Sequence, residues 1–94
     1  MDTTYRITIK TYYEIDYSRE TDREKNSNNK EKIKNICKKQ NIAYFENFDE
    51  IVIKRVNKNE LKNVINELLY IDYEDNSTDI KIKEWRPWFE NKFF

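Results

Sequence analysis

Three groups of residues carry side chains suited to acting on, or holding, another molecule. A C-terminal run of Trp85, Arg86, Trp88, Phe89, Phe93 and Phe94 gathers the residue types that dominate interface energetics. A basic stretch, with Lys30, Lys34, Lys38 and Lys39 and with Lys32 among them, offers charges to phosphates or to an acidic protein surface. An acidic stretch of Asp72, Glu74, Asp75 and Asp79 offers carboxylates to a cation. The acidic group fails a spacing test. An EF-hand-type loop needs Gly at its sixth position and a bidentate Glu at its twelfth, and counting from Asp72 these hold Ser77 and Lys83. It reads as a solvated loop, and no metal ligand set is expected.

Catalytic chemistry is poorly supplied. The chain has no His, which removes Ser-His and Cys-His nucleophilic pairs and the commonest general base. It has no Gly, which removes glycine-rich phosphate loops and dinucleotide fingerprints. The single Cys37 cannot form an internal disulfide or hold an iron–sulfur cluster, which takes about four ligands. The expectation is a protein that works by binding, without a cofactor.

Composition bounds the rest. Ninety-four residues suit one domain, 1–94, and no second core. The apolar fraction of 37% is low and the charged fraction of 38% high, but seven Tyr, five Phe and two Trp supply large buried areas. Formal charge is zero, from 18 basic and 18 acidic residues, which suits neither a general nucleic-acid coat nor a DNA mimic. The charge is nonetheless patterned: Lys25 to Gln40 holds six Lys and one acid, Asp72 to Asp79 four acids and no base. No apolar run approaches the ~20 residues of a membrane span and the N-terminus lacks a signal-peptide core. A cytoplasmic protein, free of the membrane, is expected.

The elements that position these groups follow from periodicity. Residues 4–15 alternate, with Tyr5, Ile7, Ile9, Thr11, Tyr13 and Ile15 on one face, and predict a strand. Residues 16–27 are polar and aperiodic and predict a loop. A helix is predicted over 28–40, opened by Asn28 with Glu31, buried through Ile33, Ile36 and Cys37, and stopped by Asn41. Short strands are expected at 43–48 and 50–56. A second helix follows over 57–71, capped by Asn57 with Glu60 and carrying Leu61, Val64, Ile65, Leu68 and Leu69 at helical spacing. Alternation returns over 79–85, and Pro87 opens an aromatic tail, 86–94.

The order β-α-β-β-α-β predicts an α+β fold of the split, ferredoxin-like kind: a four-stranded antiparallel sheet with two helices on one face. An acylphosphatase-type enzyme would share this topology, but it needs an anion-cradling loop after the first strand, where this chain offers charged side chains. With Ile7 and Ile9 beneath the helices, Arg6, Lys10, Tyr12, Lys81 and Lys83 share the uncovered face, and register decides whether Lys54 or Arg55 joins them. An aromatic among basic residues on a four-stranded sheet resembles the way RNA-recognition motifs stack bases, although the third strand lacks that family's aromatic pair. The alternative for this face is a plain solvated surface. The aromatic tail has two outcomes of its own: it closes the core, or it forms a patch for a partner or a second copy of the chain.

In general character the chain resembles small phage-encoded proteins that inhibit host defence systems, anti-CRISPR proteins among them. The shared features are a short single domain, dense patterned charge, no catalytic set, and aromatic or charged patches for docking. The resemblance implies an inhibitor in the host cytoplasm that covers a surface of a larger protein or nucleoprotein. A nucleic-acid-binding module and a regulatory homo-oligomer are the alternatives.

Overall fold

The computed structural model describes residues 3–11, 20–47, 50–71, 73 and 78–86, with the backbone alone for helix residues 20–22. Its elements are β1 (Tyr5–Lys10), α1 (Glu20–Lys39), β2 (Phe45–Glu46), β3 (Glu50–Val56), α2 (Lys58–Leu69) and β4 (Asp79–Glu84). The strands form one sheet in the order β2-β3-β1-β4, with every neighbouring pair antiparallel. Among the described residues the result is an α+β fold of four antiparallel strands and two helices.

Rows of isoleucine join the strands. Ile7 stands between Ile53 and Ile82, and Ile9 between Ile51 and Ile80. Branched side chains fit the pleat and pack across it, each cross-strand pair contributing roughly 0.2–1 kcal/mol. Ile33 and Cys37 of α1 and Val64 and Leu68 of α2 join Ile7, Ile9, Ile51 and Ile53 in one cluster, so both helices lie on the same side of the sheet. Burying one such aliphatic side chain stabilises the fold by about 1.5–3 kcal/mol.

Helix α2 begins where the sequence places it. Asn57 Oδ1 accepts from the Glu60 backbone N–H at 2.8 Å, and Glu60 Oε1 accepts from the Asn57 N–H at 2.9 Å. The helix ends at Leu69, short of residue 71, with Tyr70 as its C-cap. Val64 and Leu68 are wholly buried, whereas Leu69 is 72% exposed. One residue turns the helix by about 100°, which carries Leu69 off the buried stripe.

Helix α1 departs most from expectation. It starts at Glu20, so residues 20–27 are helical, not loop, and Asn28 with Glu31 lies inside the helix instead of capping it. The buried stripe of Ile33, Ile36 and Cys37 continues toward the N-terminus through Asn29, Lys30 and Asn26. A search for apolar periodicity misses a stripe whose first half is polar. Such a half is stable only if its groups are partnered. Thr11 Oγ1 donates to Asn26 Oδ1 at 2.5 Å, and Lys30 Nζ donates to the Asn47 carbonyl.

The C-terminus of α1 shows how a chain without Gly closes a helix. Asn41 takes φ 56°, while its N–H donates to the Lys38 carbonyl at 3.2 Å and the Ile42 N–H donates to that of Cys37 at 2.9 Å. This is the Schellman pattern, and Asn is the side chain that enters the left-handed region most cheaply after Gly.

The strands are shorter than alternation implied. β1 stops at Lys10, with buried Thr11 turned to Asn26, and the rest of the expected 4–15 strand lies outside the described residues. β2 holds only Phe45 and Glu46 of the expected 43–48, because the Schellman turn ends at Ile42 and the chain folds back where the Asn47 N–H donates to the Glu50 carbonyl. β4 ends at Glu84, one residue short of Trp85.

Cys37 yields a direct check on α1. It is wholly buried, and that burial pushes its thiol up to about 11. At about pH 8 the native protein should resist a disulfide reagent and denatured protein should release one thiol per chain. Prompt labelling of the native state would mean that α1 opens readily.

Candidate functional site

Three lysines of α1, Lys30, Lys34 and Lys39, make ion pairs within the fold. Lys34 Nζ lies 3.1 Å from Glu46 and 3.3 Å from Glu31, and Lys30 Nζ lies 3.7 Å from Glu46, so both tie α1 to β2. The Glu46 carboxylate holds Lys34 above its ordinary pKa. Lys39 Nζ is 2.8 Å from Glu67 of α2, and Gln40 donates to the same carboxylate. These donors hold Glu67 below the usual carboxylate range, with Lys39 the larger cause, and Lys39 is raised in return. Because the folded pKa of Glu67 is depressed, this clasp contributes above the ordinary carboxylate pKa and is lost as pH falls through the lowered one. Of the four lysines expected to meet a partner, Lys38 alone is exposed with no described ion pair among the described residues.

On the other face of the sheet cations gather at the end that Arg6 and Lys83 occupy, while at the opposite end Lys10 is paired in register with Glu50 and Asp79. Register places Lys83 and Lys81 of β4 opposite Arg6 and Thr8 of β1, on the side away from Ile7 and Ile9. On β3 the regular pairing slips between Tyr5 and Ile7: Tyr5 meets Val56, but Ile7 meets Ile53. One residue of β1, Arg6, therefore faces two of β3, Lys54 and Arg55. Because Ile53 and Val56 are both buried in the core, Lys54 and Arg55 are both left to the opposite face. A bulge commonly re-aims a side chain in this way.

The bulge brings Arg55 to Trp85. The Trp85 N–H donates to the Thr4 carbonyl at 2.8 Å, extending the β1–β4 ladder by one step and turning the indole to the face away from α1 and α2. The Arg55 guanidinium carbon sits 4.1 Å from the Trp85 ring centroid, and Arg55 Nε donates to Thr4 Oγ1 at 3.1 Å. Such a stacked cation is worth about 0.5–1 kcal/mol near the surface, and its geometry is fixed on both sides. Arg55, Lys81 and Lys83 are exposed, whereas Arg6, Lys10, Lys54 and Trp85 are half-buried. This face is not uniformly wet, since Val52 beside Phe45 and Thr8 is 2% exposed.

The expected site residues therefore divide. Arg6, Lys10, Lys81 and Lys83 share one face as predicted, while Tyr12 lies outside the described residues. Trp85, assigned to the tail, belongs to this face instead, and Arg86 pairs with Glu84 at 2.5 Å. Trp88, Phe89, Phe93 and Phe94 lie outside the described residues. Arg55 is the residue that strict alternation could not place. Its signal was present: Lys54 and Arg55 separate Ile53 from Val56, so the period of two breaks where the bulge sits.

No helix among the described residues is long and apolar enough to cross a membrane. No protein-family model matches the chain, and neither does any curated protein or solved structure.

Proposed function

We propose that the protein acts without catalysis, by holding single-stranded nucleic acid against the face of its sheet that points away from α1 and α2. The observation that carries this reading is the Arg55–Trp85 stack at 4.1 Å with Lys81 and Lys83 exposed beside it. An aromatic ring offers every base a stacking surface, and cations around it follow the phosphates. The neutral total charge does not oppose the reading, because a ligand meets the local charge of one face, where Arg55, Lys81 and Lys83 are exposed. A cytoplasmic setting suits the free, buried Cys37. The split, ferredoxin-like reading of the fold belongs to the same proposal, supported by the element order and by both helices packing on one side of the sheet. The inhibitor reading rests mainly on Trp88, Phe89, Phe93 and Phe94, and the described geometry adds nothing to it.

Titration of a labelled oligonucleotide tests the proposal. With three exposed cations at the site, the affinity should fall with a log–log salt slope of about −2, at roughly −0.7 per phosphate. Lys81→Glu with Lys83→Glu should weaken binding at least about tenfold while the circular dichroism stays unchanged, since both side chains are exposed. Affinity indifferent to salt and to the charge reversal would end the proposal.

A further inference from the structure

Strand β4 is the long outer edge of the sheet. It pairs with β1 on one side, and among the described residues no strand pairs with the other; the opposite edge, β2, is only two residues long. The hydrogen bond from the Trp85 N–H to the Thr4 carbonyl sets the phase of the ladder. Asp79, Lys81 and Lys83 turn their backbone groups toward β1, and Ile80, Ile82 and Glu84 turn theirs outward. Such a row is a template for a further strand unless a bulge, a Pro or charge blunts it. Over its six residues β4 has a regular register and no Pro. Its apolar side is also unfinished: the isoleucine rows run outward to half-buried Ile80 and to Ile82, which is 44% exposed.

We infer that β4 pairs antiparallel with β4 of a second copy, about a two-fold axis at Lys81, so that two four-stranded sheets become one. The strand is complementary to itself in that register. Ile82 of one copy faces Ile80 of the other, and Asp79 faces Lys83, each pair occurring twice. The row Ile53, Ile7, Ile82 then runs on into Ile80, Ile9, Ile51 of the other copy without a break. The one like-charge pair is Lys81 with its own counterpart, and both side chains are exposed, so water and salt screen it. Shifting the register by two residues undoes the match. One direction sets Lys81 against Lys83 twice and Ile80 against Glu84; the other sets Ile82 against Thr78. An axis normal to the sheet keeps the helices of both copies on one side and both Trp85 rings on the other. The pairing therefore stands independently of the nucleic-acid reading. An edge of this length makes a small interface, so association depends on concentration.

Sedimentation equilibrium of the full chain from about 10 μM to about 1 mM should show the mass rising from one chain toward two. Cross-linking reads the register. The central pair lies at a position without mutual hydrogen bonds, where Cα atoms stand about 4.5 Å apart, inside the range a disulfide spans. Lys81→Cys should therefore give a disulfide-linked dimer under mild oxidation. Lys83→Cys should not, because its two copies stand roughly 13 Å apart along the strands. Cys37 is wholly buried and stays out of the reaction. Asp79→Lys and Lys83→Asp should each weaken association several-fold, and the two together should restore it. A chain that stays monomeric to about 1 mM would overturn the pairing and leave the edge to an extended segment of another protein. Equal cross-linking of Lys81→Cys and Lys83→Cys would overturn the register, and the inference with it.

Discussion

Leu68→Ala is expected to cost about 2–5 kcal/mol of stability, while Leu69→Ala, one residue on, should change it by about 0.5 kcal/mol or less. Leu68 is wholly buried in the cluster that joins both helices to the sheet, and Leu69 is 72% exposed. Truncating Leu68 removes transfer energy and leaves a cavity that the surrounding core relaxes only partly to fill. A domain of this size is stable by roughly 5–15 kcal/mol, so the loss is a large share of the total. It should lower Tm by about 10–30 °C, at several degrees per kcal/mol. Urea unfolding of the two variants checks the contrast. Equal effects at the two positions would mean that α2 presents a different stripe to the core.

That contrast also shows where sequence reasoning stops. Spacing alone assigned Leu61, Val64, Ile65, Leu68 and Leu69 to one apolar face, yet an aliphatic residue at the margin of a stripe needs a neighbour to bury it. Helix α2 and strand β3 were legible because each rests on local chemistry. Asn57 and Glu60 bond reciprocally within one turn, and the run from Ile51 to Val56 has no competing pattern. Asn41 was legible as a helix stop for the same reason: with no Gly in the chain, a left-handed residue is best supplied by Asn. The first two turns of α1 were not legible, because their burial depends on partners distant in sequence. Thr11 is needed to accommodate Asn26 in the second turn, as Asn47 and Glu46 are for Lys30 one turn further on. No window of helical length contains those pairs. The candidate site divides in the same way. Period two put Arg6, Lys10, Lys81 and Lys83 on one face, but joining Arg55 to Trp85 required the register of three strands and a bulge.

Trp85→Ala should weaken oligonucleotide binding by about 1–3 kcal/mol, roughly 5- to 150-fold, and leave the fold intact. The ring is half-buried at the end of the sheet, and the hydrogen bond that anchors this position to Thr4 comes from the backbone, so truncation spares it. Among the described contacts the fold loses the Arg55 stack, about 0.5–1 kcal/mol at such a site. Trp85→Phe keeps a smaller aromatic face and should recover part of the affinity. Arg55→Ala removes both a phosphate contact and the group that orients the indole, so its effect should overlap with that of Trp85→Ala. A double-mutant cycle over the two residues should accordingly show a coupling of about 0.5–3 kcal/mol, as residues in contact do. Additive losses would assign Arg55 to the phosphates alone and leave Trp85 oriented by the backbone. Wild-type affinity in Trp85→Ala would mean that bases do not stack on this ring, and the sheet face would then bind only through Lys81, Lys83 and Arg55 as point charges. The salt slope separates those cases: it should stay near −2 in Trp85→Ala, because the ring carries no charge, and fall by about 0.7 in Arg55→Ala, which removes one phosphate contact.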